Sequence, residues 1–136
     1  MRKFDQFHDG FVNGVLVEGA VAHVFLATYT GQQFVLAIEG LSGLKLEEFR
    51  EGNIILDALT RDGDELTIAD VMELYGYRDE VSALKKLESV RDENLAVLEI
   101  NPSYGASLLA LAKTIRLFSR EDWVNGFLAS STQAVP

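Results

Sequence analysis

Cysteine is absent from the 136 residues, which excludes a disulfide framework, a thiolate nucleophile and a zinc–thiolate centre. Positive charge is scarce: twelve Lys and Arg stand against twenty-one Asp and Glu, a formal net charge of −9. Proteins that hold phosphate backbones draw that affinity from Lys and Arg, so no nucleic-acid partner is expected. The deficit is uneven, because residues 51–100 hold thirteen acidic against five basic side chains, while residues 101–136 hold two against three. An acidic middle third suits solubility, and it also suits a basic protein partner. Residues 19–38 lack Asp, Glu, Lys and Arg altogether, a membrane-span length. His23, Thr28, Tyr29, Thr30, Gly31, Gln32 and Gln33 break its apolarity, and its period is two, so a membrane is not expected as a partner either. The start, Met1-Arg2-Lys3-Phe4-Asp5-Gln6, has basic residues without the apolar segment of a signal peptide, which points to a cytoplasmic location.

What is present is a ladder of strands. From Phe11 to Leu41 apolar residues recur at every second position, with Gly19 and Gly31 at the breaks. Val21 to Tyr29 is apolar on both faces and reads as a covered strand. A short irregular strand is expected within Ser42–Phe49. Asn53 to Thr60 is a clearer one, bounded by Gly52 and by Asp62-Gly63, a dipeptide favoured in hairpin turns, with Glu65–Thr67 as its brief return. Two helices follow. Thr67 with Asp70 has capping-box spacing, Leu66 and Val71 form a hydrophobic staple, and Gly76 terminates, which predicts a helix over Ile68–Tyr75. Asp79 caps the second helix, whose expected apolar stripe is Val81, Leu84, Leu87 and Val90. Strands resume at Leu95–Ile100, and Asn101-Pro102-Ser103-Tyr104-Gly105 reads as a turn with Tyr104 packed. Ser107–Ser119 fits both periods, and the hairpin glycine Gly105 decides for a strand. Ser119 and Asp122 then cap a brief helix carrying Trp123 and Phe127, and residues 130–136 read as a frayed tail.

The expected architecture is a single α+β domain over residues 1–129, with an antiparallel sheet or half-barrel of about six strands and one two-helix excursion at about residues 68–91. A chain this long buries roughly two-thirds of its unfolded surface and folds without staples.

Few residues carry a chemistry. His8-Asp9 places an imidazole beside a carboxylate, but strand neighbours point to opposite faces, and the ordinary reading is that Asp9-Gly10 turn the chain into its first strand. His23 is the other histidine, on a bulky apolar strand face. An enzyme or small-ligand reading would use His8, Asp9 and His23 together. No ligand spacing for a metal is present, and no cofactor is expected. Asp57, Asp62, Asp64, Glu65 and Asp70 gather around the expected hairpin; they lack the glycine and glutamate positions of a calcium loop and read as a solvated turn or as a docking surface for Lys and Arg. Ser103 lacks the flanking glycine of a nucleophile elbow, and Gly40-Leu41-Ser42-Gly43 is too short for a phosphate loop.

Three segments, His8-Asp9-Gly10, Phe49-Arg50-Glu51-Gly52-Asn53-Ile54-Ile55 and Ser103-Tyr104-Gly105-Ala106, give the chain a resemblance to small bacterial β-rich domains. Some of these resemble immunity proteins that neutralise toxins of neighbouring bacteria. The resemblance implies a non-catalytic inhibitor and brings no catalytic residues with it. The expected function is therefore binding of a basic protein through Asp57, Asp62, Asp64, Glu65 and Asp70; the alternatives are the small-ligand or enzyme reading and a structural homodimer joined through a sheet edge.

Overall fold

A computed structural model of the protein describes residues 1–126. Its strands are β1 (Arg2–Lys3), β2 (Phe11–Glu18), β3 (Val21–Ala27), β4 (Gln33–Glu47), β5 (Asn53–Asp62), β6 (Ala96–Tyr104) and β7 (Ser107–Ser119). Helices α1 (Ile68–Tyr75) and α2 (Glu80–Arg91) lie between β5 and β6, and residues 120–126 are helical after β7. The fold is α+β, as the sequence implies. All pairings are antiparallel, in the order β1-β5-β2-β3-β4-β7-β6, and a further β5–β6 pairing closes six strands into a ring.

Closure depends on strands long and bent enough to serve two neighbours. Of the segment expected as a separate irregular strand, residues 42–49, residues 42–47 are instead the second half of β4, which pairs with β3 up to Glu39 and with β7 from Phe34 to Glu47. A bulge between Leu41 and Gly43 bends it midway. A second bulge, between Val12 and Gly14, lifts β2 off β5 after only two paired residues. Among the described residues, β2 from Asn13 to Glu18 then has a strand partner on one side only.

The ring interior is filled. Phe7, Val24, Leu26, Leu36, Ile38, Ile55, Leu98, Ile100 and Leu108 pack there, each almost wholly buried. Alternation along β6 and β7 sends Leu98, Ile100, Leu108 and Ala110 inward and Val97, Leu109 and Leu111 outward, where a second core forms beneath the helices with Leu66, Val71, Leu74, Leu87 and Val90. Covering on both faces is why residues 107–119 carry mixed periodicity; they form a strand, as the preceding glycine indicates.

Helix α1 begins as its sequence dictates. The Thr67 hydroxyl accepts from the Asp70 N–H at 3.1 Å, the Asp70 carboxylate accepts from the Thr67 N–H at 2.9 Å, and Gly76 ends the helix in the left-handed region at φ 71°. Asp79 caps α2 by accepting from the Ser82 N–H at 2.8 Å.

Four expectations need correction. The stripe of α2 is Ala83, Leu87 and Val90, whereas Val81 is 67% and Leu84 42% exposed. A spacing of three lags a helix by about 60° at each step, so Val81 cannot share a face with Val90, while the spacing from 83 to 87 to 90 holds one side. Asp62-Gly63 makes no hairpin. Gly63 opens a 3-10 turn (Gly63–Glu65) because it packs against the Leu95 carbonyl, where a Cβ would collide, and Leu66 is buried under the helices instead of returning as a strand. Strand β6 runs on through the expected turn at Asn101–Tyr104 by pairing with β5 alone beyond Ile100. Tyr104, expected to pack, is 52% exposed at the end of that extension. The expected helix after Ser119 does form, with the Ser119 hydroxyl accepting from the Asp122 N–H at 3.1 Å; Phe127 and residues 130–136 lie outside the described residues.

Candidate functional site

The three turn segments of the sequence meet at one end of the ring. The Asp9 N–H donates to the Ile55 carbonyl at 3.0 Å and the Ile55 N–H to the Gly10 carbonyl at 2.9 Å. Asn53, 1% exposed, holds the junction with all of its amide capacity: its Oδ1 accepts from Arg50 N–H (2.7 Å) and Ala106 N–H (3.0 Å), and its Nδ2 donates to Arg50 carbonyl (2.6 Å) and Val12 carbonyl (3.2 Å). Gly105, at φ +83°, leaves room for that amide, since a Cβ there would strike Asn53 Oδ1.

His8 and Asp9 do come together, with Nε2 3.6 Å from the Asp9 carboxylate. A bulge between Ile55 and Asp57 turns out the Leu56 carbonyl, and His8 Nδ1–H donates to it at 2.8 Å. That bond, helped by the Asp9 charge, raises the imidazole above its ordinary value of 6.5. Both ring nitrogens are thereby engaged within the chain. The pair anchors the turn, and the open cleft around it is lined by Lys3, Phe4, Asp5, Leu56, Asp57 and Ala58.

His23 lies elsewhere. Register sets Leu16, His23, Ala37 and Arg116 side by side across β2, β3, β4 and β7, on the outer face of the sheet, while Ala22, Val24 and Leu26 point inward. The flanking rows are Gly14, Phe25, Val35, Phe118 and Glu18, Val21, Glu39, Thr114. Helical residues 120–126 cross this face and set Trp123 edge-on to His23 (5.4 Å between centroids) and to Phe25 (5.3 Å). Between helix and sheet runs an open groove of about 510 Å³. His8 and His23 therefore line separate clefts. Alternation alone predicts one face for Leu16 and Glu18, but the groove needed pairings across four strands, which sequence spacing does not reveal.

The five acidic residues also divide. Asp62, Asp64 and Glu65 are exposed at the 3-10 corner, with carboxylate oxygens within 4.8 Å of one another. The N-terminal amine lies 4.0 Å from Glu65. Three exposed monodentate carboxylates fall short of the six to eight oxygens that calcium takes. Asp57 faces the His8 cleft and accepts from Asn101 Nδ2 at 2.7 Å. Asp70 is turned inward, where Arg61 grips both its oxygens at 3.1 and 3.2 Å and also lies 3.3 Å from Glu99. Burial alone would raise the Asp70 carboxyl, but Arg61 and the Thr67 N–H outweigh it and hold it below its ordinary 3.8.

No helix among the described residues is long and apolar enough to cross a membrane. Compared with protein-family models, with curated proteins and with solved structures, the chain matches none.

Proposed function

We propose that the chain is a non-catalytic binding domain that recognises a basic protein through the acidic corner of Asp62, Asp64 and Glu65, its concrete form being an immunity-type inhibitor of a basic toxin. The supporting observation is the convergence of these three exposed carboxylates within 4.8 Å. Their mutual repulsion, offset in part by the N-terminal amine 4.0 Å from Glu65, is relieved further by an incoming Lys or Arg, and they project from the segment with the largest acidic excess, so they steer a basic surface during encounter. Asp57 and Asp70, spent on Asn101 and Arg61, contribute to the field without touching the partner.

Catalysis is disfavoured by the same geometry. The ring interior is filled with apolar side chains, and His8 and His23 do not share a cleft. The homodimer reading keeps one supporting feature, the outer edge of β2 from Asn13 to Glu18 with Leu16 and Val17 about half exposed beside it.

Calorimetric titration of candidate basic toxins into the chain tests the proposal. A complex at low salt that weakens as salt rises, and that weakens further in the triple variant Asp62→Asn, Asp64→Asn, Glu65→Gln, is expected. Absence of any complex at low salt removes the reading, and a complex indifferent to the triple variant moves it to another surface.

A further inference from the structure

The groove under Trp123 has a character of its own. Its floor is the cross-strand row Leu16, His23, Ala37, Arg116, and the small Ala37, buried between two longer neighbours, gives it depth. Phe118 and Trp123 supply aromatic wall, and Leu16 is 49% exposed within it. A mostly apolar recess with a few converging polar groups, in the range of roughly 300–1,000 Å³, is the usual form of a small-molecule site. At about 510 Å³ the groove is of that size.

Charge selects among ligands. Glu18, Glu39, Asp122, Arg116 and His23 line the groove, three carboxylates against one guanidinium and one imidazole. Arg116 is taken up, paired with the Glu39 carboxylate while its guanidinium stands 5.4 Å over the Phe118 ring. Among the described residues neither Glu18 nor Asp122 has a cationic partner within 4 Å. The lining thus carries a surplus of carboxylate beside aromatic faces that attract cations.

We propose that this groove binds an organic cation with an apolar body, an ammonium or guanidinium group on an aryl or branched alkyl chain. The body lies along Leu16, Ala37 and Phe118 against the indole, and the cationic head lies toward Glu18 and Asp122. The site is separate from the acidic corner and does not depend on it.

Trp123 is the only tryptophan in the chain, so its emission reports on the groove directly. Phenethylamine is the probe, with phenylacetate and 2-phenylethanol as anionic and neutral counterparts of similar shape. The expected result is a saturable emission change with phenethylamine, at least about tenfold tighter than with phenylacetate, tightness being read from half-saturation. The double variant Glu18→Gln, Asp122→Asn, shown to be folded by circular dichroism, loses most of that preference. Glu39→Gln has the opposite use: it releases Arg116 and shifts the preference toward phenylacetate. No saturable response to phenethylamine overturns the proposal. So does equal response to amine and carboxylate, which would mean a merely greasy surface, or a preference unchanged in the double variant.

Discussion

Replacing Asn53 by Ala removes four hydrogen bonds from the point where three loops converge. The effect is not four equal losses. The two groups on Arg50 sit at a turn that water reaches, so they recover much of their bonding from solvent. The Val12 carbonyl and the Ala106 N–H are in buried surroundings, and each is left with an unmet need at about 1–3 kcal/mol. Together they predict a loss of about 4 kcal/mol, a large share of the 5–15 kcal/mol typical of a domain. Urea unfolding followed by circular dichroism is the assay, with the midpoint falling and the slope unchanged. Asn53→Asp sharpens it. The aspartate keeps both acceptor bonds but turns a carboxylate oxygen toward the Val12 and Arg50 carbonyls, so its folded-state pKa is raised. Its native form is then relatively favoured at low pH and loses ground as pH rises through that raised value. A loss below about 1 kcal/mol for Asn53→Ala, or no acid recovery in Asn53→Asp, would refute the view that this amide holds the ring end together.

Other outcomes follow from the same geometry. Asp70 is held below 3.8 by Arg61 and Thr67; its stabilising effect is complete above that value and is lost as pH falls through the folded-state value, so Asp70→Asn should flatten the acid limb of the stability curve below about pH 4. Proton NMR titration of His8 should give a midpoint above 6.5, and Leu56 makes this bond through its backbone, so Leu56→Ala should leave it in place. Gly10→Ala drives a Cβ into the Ala27 carbonyl and should destabilise by about 2 kcal/mol or more, read by thermal unfolding. Thr67→Ala, which removes the reciprocal cap of α1, should lower stability by about 1 kcal/mol in the same measurement. Sedimentation equilibrium tests the β2 edge: a monomeric mass at high protein concentration ends the homodimer reading.

Much of the fold was legible because it is local. Thr67 and Asp70 are three residues apart and close their reciprocal cap within one turn, and Gly19 and Gly31 take the positive φ of +60° and +93° that the turns between strands require. The ring has six strands, in keeping with the expected count of about six, although residues 42–47 belong to β4 and no strand forms at Glu65–Thr67; β1 adds a seventh of two residues. The corrections arise where a distant segment decides. Asp62-Gly63 has hairpin chemistry, yet the Leu95 backbone occupies the space beside Gly63 and turns the chain toward α1. The stripe of α2 is the exception, since the 60° lag of a three-residue spacing is a local property of the helix; docking beside Leu109 and Leu111 only buries the face that the helical period already assigns to Ala83, Leu87 and Val90.

The site divides along the same line. Sequence alone determined a two-helix excursion in an antiparallel α+β domain, an acidic middle third, and the absence of thiol chemistry, because composition, capping and period-two alternation act over a few residues. Tertiary structure decided which carboxylates face solvent, that His8 and His23 part company, and that His23 joins Leu16, Ala37 and Arg116 beneath Trp123. Those outcomes depend on strand register and ring closure, which join positions up to a hundred residues apart and leave no spacing in the chain to read.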